Sequence, residues 1–282
     1  MQLLKRSETQ IENCRYRFRH SILVNLFVFC ITTVITGFLV YFFIKHLVEK
    51  ELFPMCILFV SLPMMVLFSF FMFSNFKNSL TSANWLLAYD LQDLYIKYRS
   101  YMNSDLPEED LQVIKLDYDE IASACKVKRT ETIPSRTGGS TTQFLTYIDL
   151  ILKQPVRQEL RDALVYEHKA VSRSKGPFKA TSKVHHYPLG INGDNILRID
   201  FGSVIPSATK ALELLERYNV AITETKKEKV DYTISYTDRK KMEEQIIDLA
   251  QRGKIIPAVK VARRAYGMST TDAKKFVDEL LD

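Results

Sequence analysis

Two stretches near the start of the chain carry no charged residue: 21–44 (SILVNLFVFCITTVITGFLVYFFI) and 52–76 (LFPMCILFVSLPMMVLFSFFMFSNF). At about 1.5 Å of rise per residue, each is long enough to cross a hydrocarbon core of about 30 Å. The pattern predicts two transmembrane helices with these boundaries. Pro54 falls in a first helical turn, where its missing N–H costs little, and Pro63 is expected to kink the second helix. A signal peptide is the competing reading of the first run. That run is longer than an apolar h-region of about 7–15 residues, and no small-residue cleavage site follows it. Two such runs in tandem also argue against core helices of a soluble protein. The connection, 45–51, is short, so the two helices are expected to be antiparallel neighbours.

Beyond the hairpin the periodicity changes. Leu87, Leu91, Leu94, Tyr98 and Tyr101 recur at spacings of four and three, which predicts a juxtamembrane helix over 77–102 with a short heptad-like seam. Trp85 and Tyr89 suit either an interfacial belt or a packed core. Residues 103–110, with Pro107 among acids, read as a linker. Alternating or β-branched runs at 111–116, 143–152, 195–201 and 230–236 predict strands, and 135–142 predicts a loop around Gly138 and Gly139. Helical spacing appears at 156–170 and at 207–218, the latter opened by Pro206. The last residues predict three short helices, 238–252, 257–266 and 270–281, with Gly253 and Gly267 ending helices and Ser269 and Asp272 capping the third. The expected fold class is a membrane α-helical hairpin plus a soluble α+β domain and a small all-α C-terminal module. The expected divisions are a tail (1–20), the hairpin (21–76), the juxtamembrane helix (77–102), the α+β domain (103–236) and the module (237–282).

Whole-chain averages hide this partition. The 282 residues are 46% hydrophobic with a net charge of +6, as in many soluble proteins. The distribution of charge says more. Lys5, Arg6, Arg15, Arg17 and Arg19 precede the hairpin, and Lys77, Lys97 and Arg99 follow it. The connection offers Lys45 and Lys50. This bias places both termini on the cytoplasmic side of a bacterial-type inner membrane. No ionisable side chain lies inside either run, which argues against a transporter or pump and for an anchor. Asn25, Thr32, Thr33, Thr36, Gly37, Ser61 and Ser69 are candidates for helix packing, and a homo-oligomeric pore stays open. Cys14, Cys30, Cys56 and Cys125 show no CxxC spacing and read as free thiols, with no metal or cofactor expected.

Motifs for chemistry are few. The Gly138–Gly139 loop lacks the ending of a P-loop. His168, His185 and His186 have no further ligand at suitable spacing, and Glu167–His168 does not make a zinc-protease helix. No nucleophile elbow is present, so no catalytic residue is assigned and an enzyme is not expected. A charge pattern is more informative. Residues 168–193 contain no acid, while Lys169, Arg173, Lys175, Lys179 and Lys183 accumulate among aromatic residues. Near a bilayer such a segment would be drawn to anionic lipid headgroups. Nucleic acid is the lesser reading and a solvated loop the plain one.

Two resemblances add to this. Residues 113–128 (VIKLDYDEIASACKVK) resemble a strand–turn–strand step of pleckstrin-homology and GRAM-like domains, and 196–216 (ILRIDFGSVIPSATKALELLE) are similar to the last strand and closing helix of that fold. Such a resemblance implies a pleckstrin-like barrel, from which the stretch 155–193 departs. Residues 253–278 (GKIIPAVKVARRAYGMSTTDAKKFVD) resemble the helical hairpin in the C-terminal domain of the bacterial ribosomal stalk protein. Carried over are Val259, Lys260 and Arg263, then Gly267 and Met268, then Asp272, Ala273, Lys274, Val277 and Asp278. Ser269, Thr270 and Pro257 depart from the family pattern. In that family the matching cations contact translational GTPases, which implies Lys260, Arg263 and Lys274 as partner-binding residues here. With Arg264 they would form a cationic face for an acidic protein surface. The expected function is a membrane-anchored cytoplasmic scaffold that binds a protein partner and anionic lipid headgroups. The alternative is a membrane effector whose hairpin oligomerises and perturbs the bilayer.

Overall fold

A computed structural model describes the chain except residues 6–8, 10, 12–13, 50–51, 82–83, 100–111, 135–138, 170–171, 174–180, 183–186, 233–238, 252–253 and 282. For 52–58, 112, 134, 167–169, 172–173, 181–182 and 239 it describes the backbone. The residues form two compact units, Arg19–Trp85 and a second assembled from Met1–Phe18 and Leu86–Asp282.

The first unit is built on two 28-residue helices, α1 (Ile22–Glu49) and α2 (Leu52–Ser79). Both are long and apolar enough to cross a membrane. Their large side chains point outward, with Phe27 66% and Phe70 74% exposed, where a core helix would bury them. The helices meet through the Phe29 ring, stacked on Phe76 and tilted against Phe73, and through a 2.9 Å hydrogen bond between the Thr36 and Ser69 hydroxyls. Such a bond between apolar helices is worth about 0.6 kcal/mol. The Thr32 and Thr33 hydroxyls instead donate back to the Phe29 carbonyl in their own helix. Gly37, expected at a close helix approach, has no atom within 4 Å of where a Cβ would stand. Near the two ends of this unit's sequence, the buried Asn84 side chain joins His20 to Ser79. It accepts from the His20 N–H and donates to the carbonyls of His20 and Ser79.

The second unit has two main sheets around one core. The first sheet takes β1 (Gln2–Lys5), β2 (Tyr16–His20), β3 (Leu87–Tyr89), β4 (Asp93–Lys97) and β5 (Gln112–Asp117), in the order β1-β5-β4-β3-β2 with β12 (Val204–Ile205) beside β2. The second takes β6 (Ile121–Pro134), β7 (Ser140–Leu152), β10 (Leu189–Asn192) and β11 (Ile196–Asp200), in the order β10-β11-β7-β6, with β13 (Ala221–Ile222) and β14 (Lys226–Asp231) parallel to β6. A 3-10 turn, Tyr118–Glu120, passes the chain from β5 to β6 and is held by a capping box between Asp117 and Glu120. Helix α3 (Gln158–Lys169) and a two-stranded ribbon, β8 (Ser172–Arg173) with β9 (Thr181–Ser182), lie between β7 and β10. Helix α4 (Ala208–Arg217) starts at the Ser207 N-cap and buries Ala208, Ala211, Leu212, Leu214 and Leu215. It ends before Asn219, whose φ of 63° is a left-handed value that asparagine tolerates. Leu94, Ile96, Ile114, Leu116, Ile148, Leu150, Leu197 and Ile199 from both sheets, with Leu160 and Leu215, form the core. The Tyr89 hydroxyl within it donates to the Ala211 carbonyl, and Phe18 meets Phe201 edge-on. Three helices follow: α5 (Arg239–Gln251), α6 (Ile255–Tyr266) and α7 (Thr270–Glu279).

The structure is therefore α+β, as the pattern predicts, but two divisions change. The residues 1–20 expected as a tail contain β1 and β2, both hydrogen-bonded into the first sheet. Where a juxtamembrane helix is expected over 77–102, α2 runs to Ser79 and Leu87–Lys97 form a β-hairpin, while 82–83 and 100–102 lie outside the described residues. Leu86 to Tyr89 are buried on consecutive positions, which no amphipathic helix allows, whereas Leu91 of the supposed seam is 69% exposed at the turn. The Asp90 carboxylate accepts from the Leu91 N–H there, and the Asp90 N–H bonds the Asp93 carbonyl. The α+β domain thus draws on sequence from both sides of the apolar insert. The strand expected at 230–236 runs earlier, over Lys226–Asp231, and 233–236 lie outside the described residues.

The pairing Phe18↔Leu87, with Leu86 N–H on the Phe18 carbonyl at 2.8 Å, makes the insert separable from the β-unit. Replacing residues 19–85 by a flexible turn of about three residues should give a soluble, cooperatively unfolding domain. A fragment starting at 103 lacks β1–β4 and should aggregate or melt without a transition. Circular dichroism melts of the two proteins check this.

Candidate interaction surfaces

The longest hairpin, β6–β7, is paired from Ile121↔Leu152 out to Pro134↔Ser140, and Gly139 at its tip has φ 73°, a conformation natural for glycine. Strand alternation gives it two faces. Ala124, Lys126, Lys128 and Thr130 share one face with Leu150, Ile148, Thr146 and Phe144. On the inner half of that face α4 covers the sheet, with Lys126 Nζ donating to Thr209 Oγ1 at 3.2 Å. Outward, no described helix covers that face of the sheet. There the sheet forms an open trough lined by Lys128, Thr130, Phe144, Thr146, Lys227 and Lys229. Phe144 is 81% exposed.

The opposite face carries two ionic networks. Arg198 on β11 makes a bidentate contact with Asp149 (2.8 and 2.8 Å) and a second with Glu228 on β14 (2.9 and 2.7 Å), and its guanidinium lies 5.4 Å from the Tyr147 ring centre. Burial disfavours its charge, but the bonds from Asp149 and Glu228 outweigh that and hold its pKa above the ordinary arginine value. Further out, the fully buried Glu131 carboxylate lies 2.8 Å from Arg129 Nε and accepts from Lys254 Nζ at 2.9 Å. Arg129 also donates to the Tyr232 hydroxyl and to Asp248, and Tyr232 to Asp248. Burial, then the Asp248 charge, push the Tyr232 pKa up. Every charge here has a countercharge, so the networks read as fastenings.

The Arg198 network ties β7, β11 and β14 together, and the outer one, through Asp248 and Lys254, fastens the helical module. Ile246, Leu249, Ala258, Val259, Ala262, Ala273 and Val277 form its core together with Ile133 of β6 and Tyr232. Its three helices are therefore built on the outer end of the sheet. Gly267 ends α6 in the left-handed region, and the Ser269 hydroxyl accepts from the Asp272 N–H to start α7, as the sequence predicts. Of the expected partner-binding residues, Arg263, Arg264 and Lys274 are exposed, while Lys260 is half-buried and already in contact with a neighbour. Lys260, Arg263 and Arg264 share a stripe of α6, and Lys274 lies on the adjacent α7.

Of the expected lipid-headgroup residues, Lys169 ends α3 and Arg173 belongs to β8, whereas Lys175, Lys179 and Lys183 lie outside the described residues. His185 and His186 also lie outside them, and His168 is placed in α3 by its backbone. Among the described residues no group of three His, Cys, Asp or Glu could hold a metal. Burial, followed by Asp90, pushes the Cys14 thiol up to about 11. The lysine-lined trough was not legible beforehand, because β14 has the sequence KKEKVD and lacks apolar alternation. The hint was cations at every second position, Lys126 and Lys128 on one strand and Lys227 and Lys229 on its neighbour.

No family model, curated protein or solved structure matches the chain.

Removing Glu131 leaves Arg129 and Lys254 facing each other without their shared carboxylate. Glu131→Ala should destabilise the module by about 3–5 kcal/mol. Arg263→Ala and Lys274→Ala, both exposed, should change stability by less than about 0.5 kcal/mol. Thermal melts and protease sensitivity of the purified chain would separate the fastening cations from the surface ones.

Proposed function

We propose that the chain is a membrane-anchored interaction protein. Its hairpin spans the bilayer, its β-unit and module lie in the cytoplasm, and the module docks an acidic protein surface. The observation that supports this best is the insertion of two exposed apolar helices between strands paired to each other, Phe18↔Leu87. Neighbouring strands lie about 5 Å apart, so both ends of the insert belong to one compartment. Two crossings satisfy that and one does not. Cleaving the first helix as a signal would also remove Phe18, which is 1% exposed in the core. In water the outward Phe, Leu and Val side chains of α1 and α2 would form an apolar surface beyond what soluble monomers carry.

The flanking Lys and Arg choose the cytoplasmic side. The exposed Arg263, Arg264 and Lys274, with Lys260, would steer an acidic partner. The segment holding Lys169, Arg173, Lys175, Lys179 and Lys183 would add attraction to anionic headgroups. Tags at both ends should be digested by protease in inverted membrane vesicles and protected in right-side-out ones, and the chain should resist alkaline extraction. Opposite protection of the two tags, or release by alkali, would sink the anchor. Proteins that co-purify with the chain in mild detergent should be lost when Arg263, Arg264 and Lys274 are changed to Glu, with the melt unchanged.

A further inference from the structure

We infer that the outer face of the β6–β7–β14 sheet is a second membrane contact, docking on anionic phospholipid headgroups. This inference rests on the membrane-anchor reading. In parallel pairing, Lys227 lies beside Lys128, and Lys229 beside Thr130, which is itself opposite Phe144. Three lysines and one exposed aromatic side chain thus share one face across three neighbouring strands, Phe144 on β7 and the lysines on β6 and β14. Among the described residues none of the three lysines is held in an ion pair, unlike Arg129, Arg198 and Lys254 on the reverse side. The nearby acid Glu228 projects to that reverse side, where Arg198 holds it. Asp231 stands on the lysine face beyond Lys229 and is already engaged elsewhere.

Burial shows the same asymmetry. Among the described residues the face carries no core residue beyond Ile148, and its one large apolar side chain there, Phe144, is 81% exposed. Such a residue is out of place on a sheet facing water and suits the boundary between headgroups and acyl chains. Each lysine near an anionic surface contributes about 1 kcal/mol. That is too little to recruit a soluble protein. It is enough to orient a domain that the hairpin already keeps within reach of the bilayer. The module is fastened to the reverse face through Arg129, Glu131 and Tyr232, so docking here turns its cationic helices away from the lipid.

The test uses the full chain with Phe144→Trp, compared with the parent, whose Trp85 is buried. Both are placed in nanodiscs of neutral phosphatidylcholine alone or with about 30% phosphatidylglycerol. Emission from position 144 is read with lipid-attached quenchers. Docking predicts quenching in anionic discs at least about twofold that in neutral ones, lost in about 0.5 M salt. It should also be lost when Lys128, Lys227 and Lys229 are all changed to Glu, with the circular dichroism spectrum unchanged. Equal, water-like emission in both discs overturns the proposal while leaving the anchor intact. Quenching that survives the triple change overturns it as well. Retarded migration of single-stranded nucleic acid that the triple change abolishes, without a lipid effect, would reassign the face. Failure of the chain to enter nanodiscs at all would sink the anchor reading instead.

Discussion

The pairing of β2 with β3 is the contact on which the rest of the structure depends. Its three residue pairs, Tyr16↔Tyr89, Arg17↔Ala88 and Phe18↔Leu87, join sequence that the apolar insert separates. Without it the first sheet loses β2 and the seat of β12, and the Phe18 ring leaves its contacts with Tyr89 and Phe201. Asn84 completes the closure by giving the His20 backbone an amide partner just where the strand ladder stops. A buried peptide group left unpaired there would cost about 1–3 kcal/mol. The contacts at the ends of the insert are thus backbone pairing and one amide.

The second sheet is a divider. One of its faces holds the core at its inner half and, at its outer half, exposed lysines in no ion pair among the described residues. The other is occupied by paired charges and the helical module. The contrast between the cations is physical. Arg129, Arg198 and Lys254 each face a carboxylate at 2.8–2.9 Å, the geometry in which burying a charge is tolerable. Lys128, Lys227 and Lys229 are exposed, and among the described residues none of them is in an ion pair.

Much of this was legible in the sequence. The apolar insert, the helix from Ser207, the turn at Gly267 and the capping at Ser269 rest on local rules that tertiary context did not override. The hairpin 87–97 was misread because Leu87, Leu91 and Leu94 mimic a helical period. The decisive fact, burial on both faces at Leu86 to Tyr89, is a property of the assembled core. The tail 1–20 hid two strands for the same reason: Tyr16 and Phe18 alternate with arginines over too few residues to signal a strand alone. The lysine face escaped because it needs the parallel register of β14 on β6, a pairing between segments about a hundred residues apart that no local pattern encodes.

The insertion point also sets an order of events during synthesis. Strand β2 leaves the ribosome before α1, yet its hydrogen-bonding partner, β3, follows α2. At roughly 5–20 residues per second, the first strands wait several seconds with their polar edges and Phe18 uncovered. The whole apolar insert must be made before β2 can meet β3. The fold of the β-unit therefore ties the closing of its first sheet to the completion of the insert, and until β3 emerges β2 keeps an open strand edge.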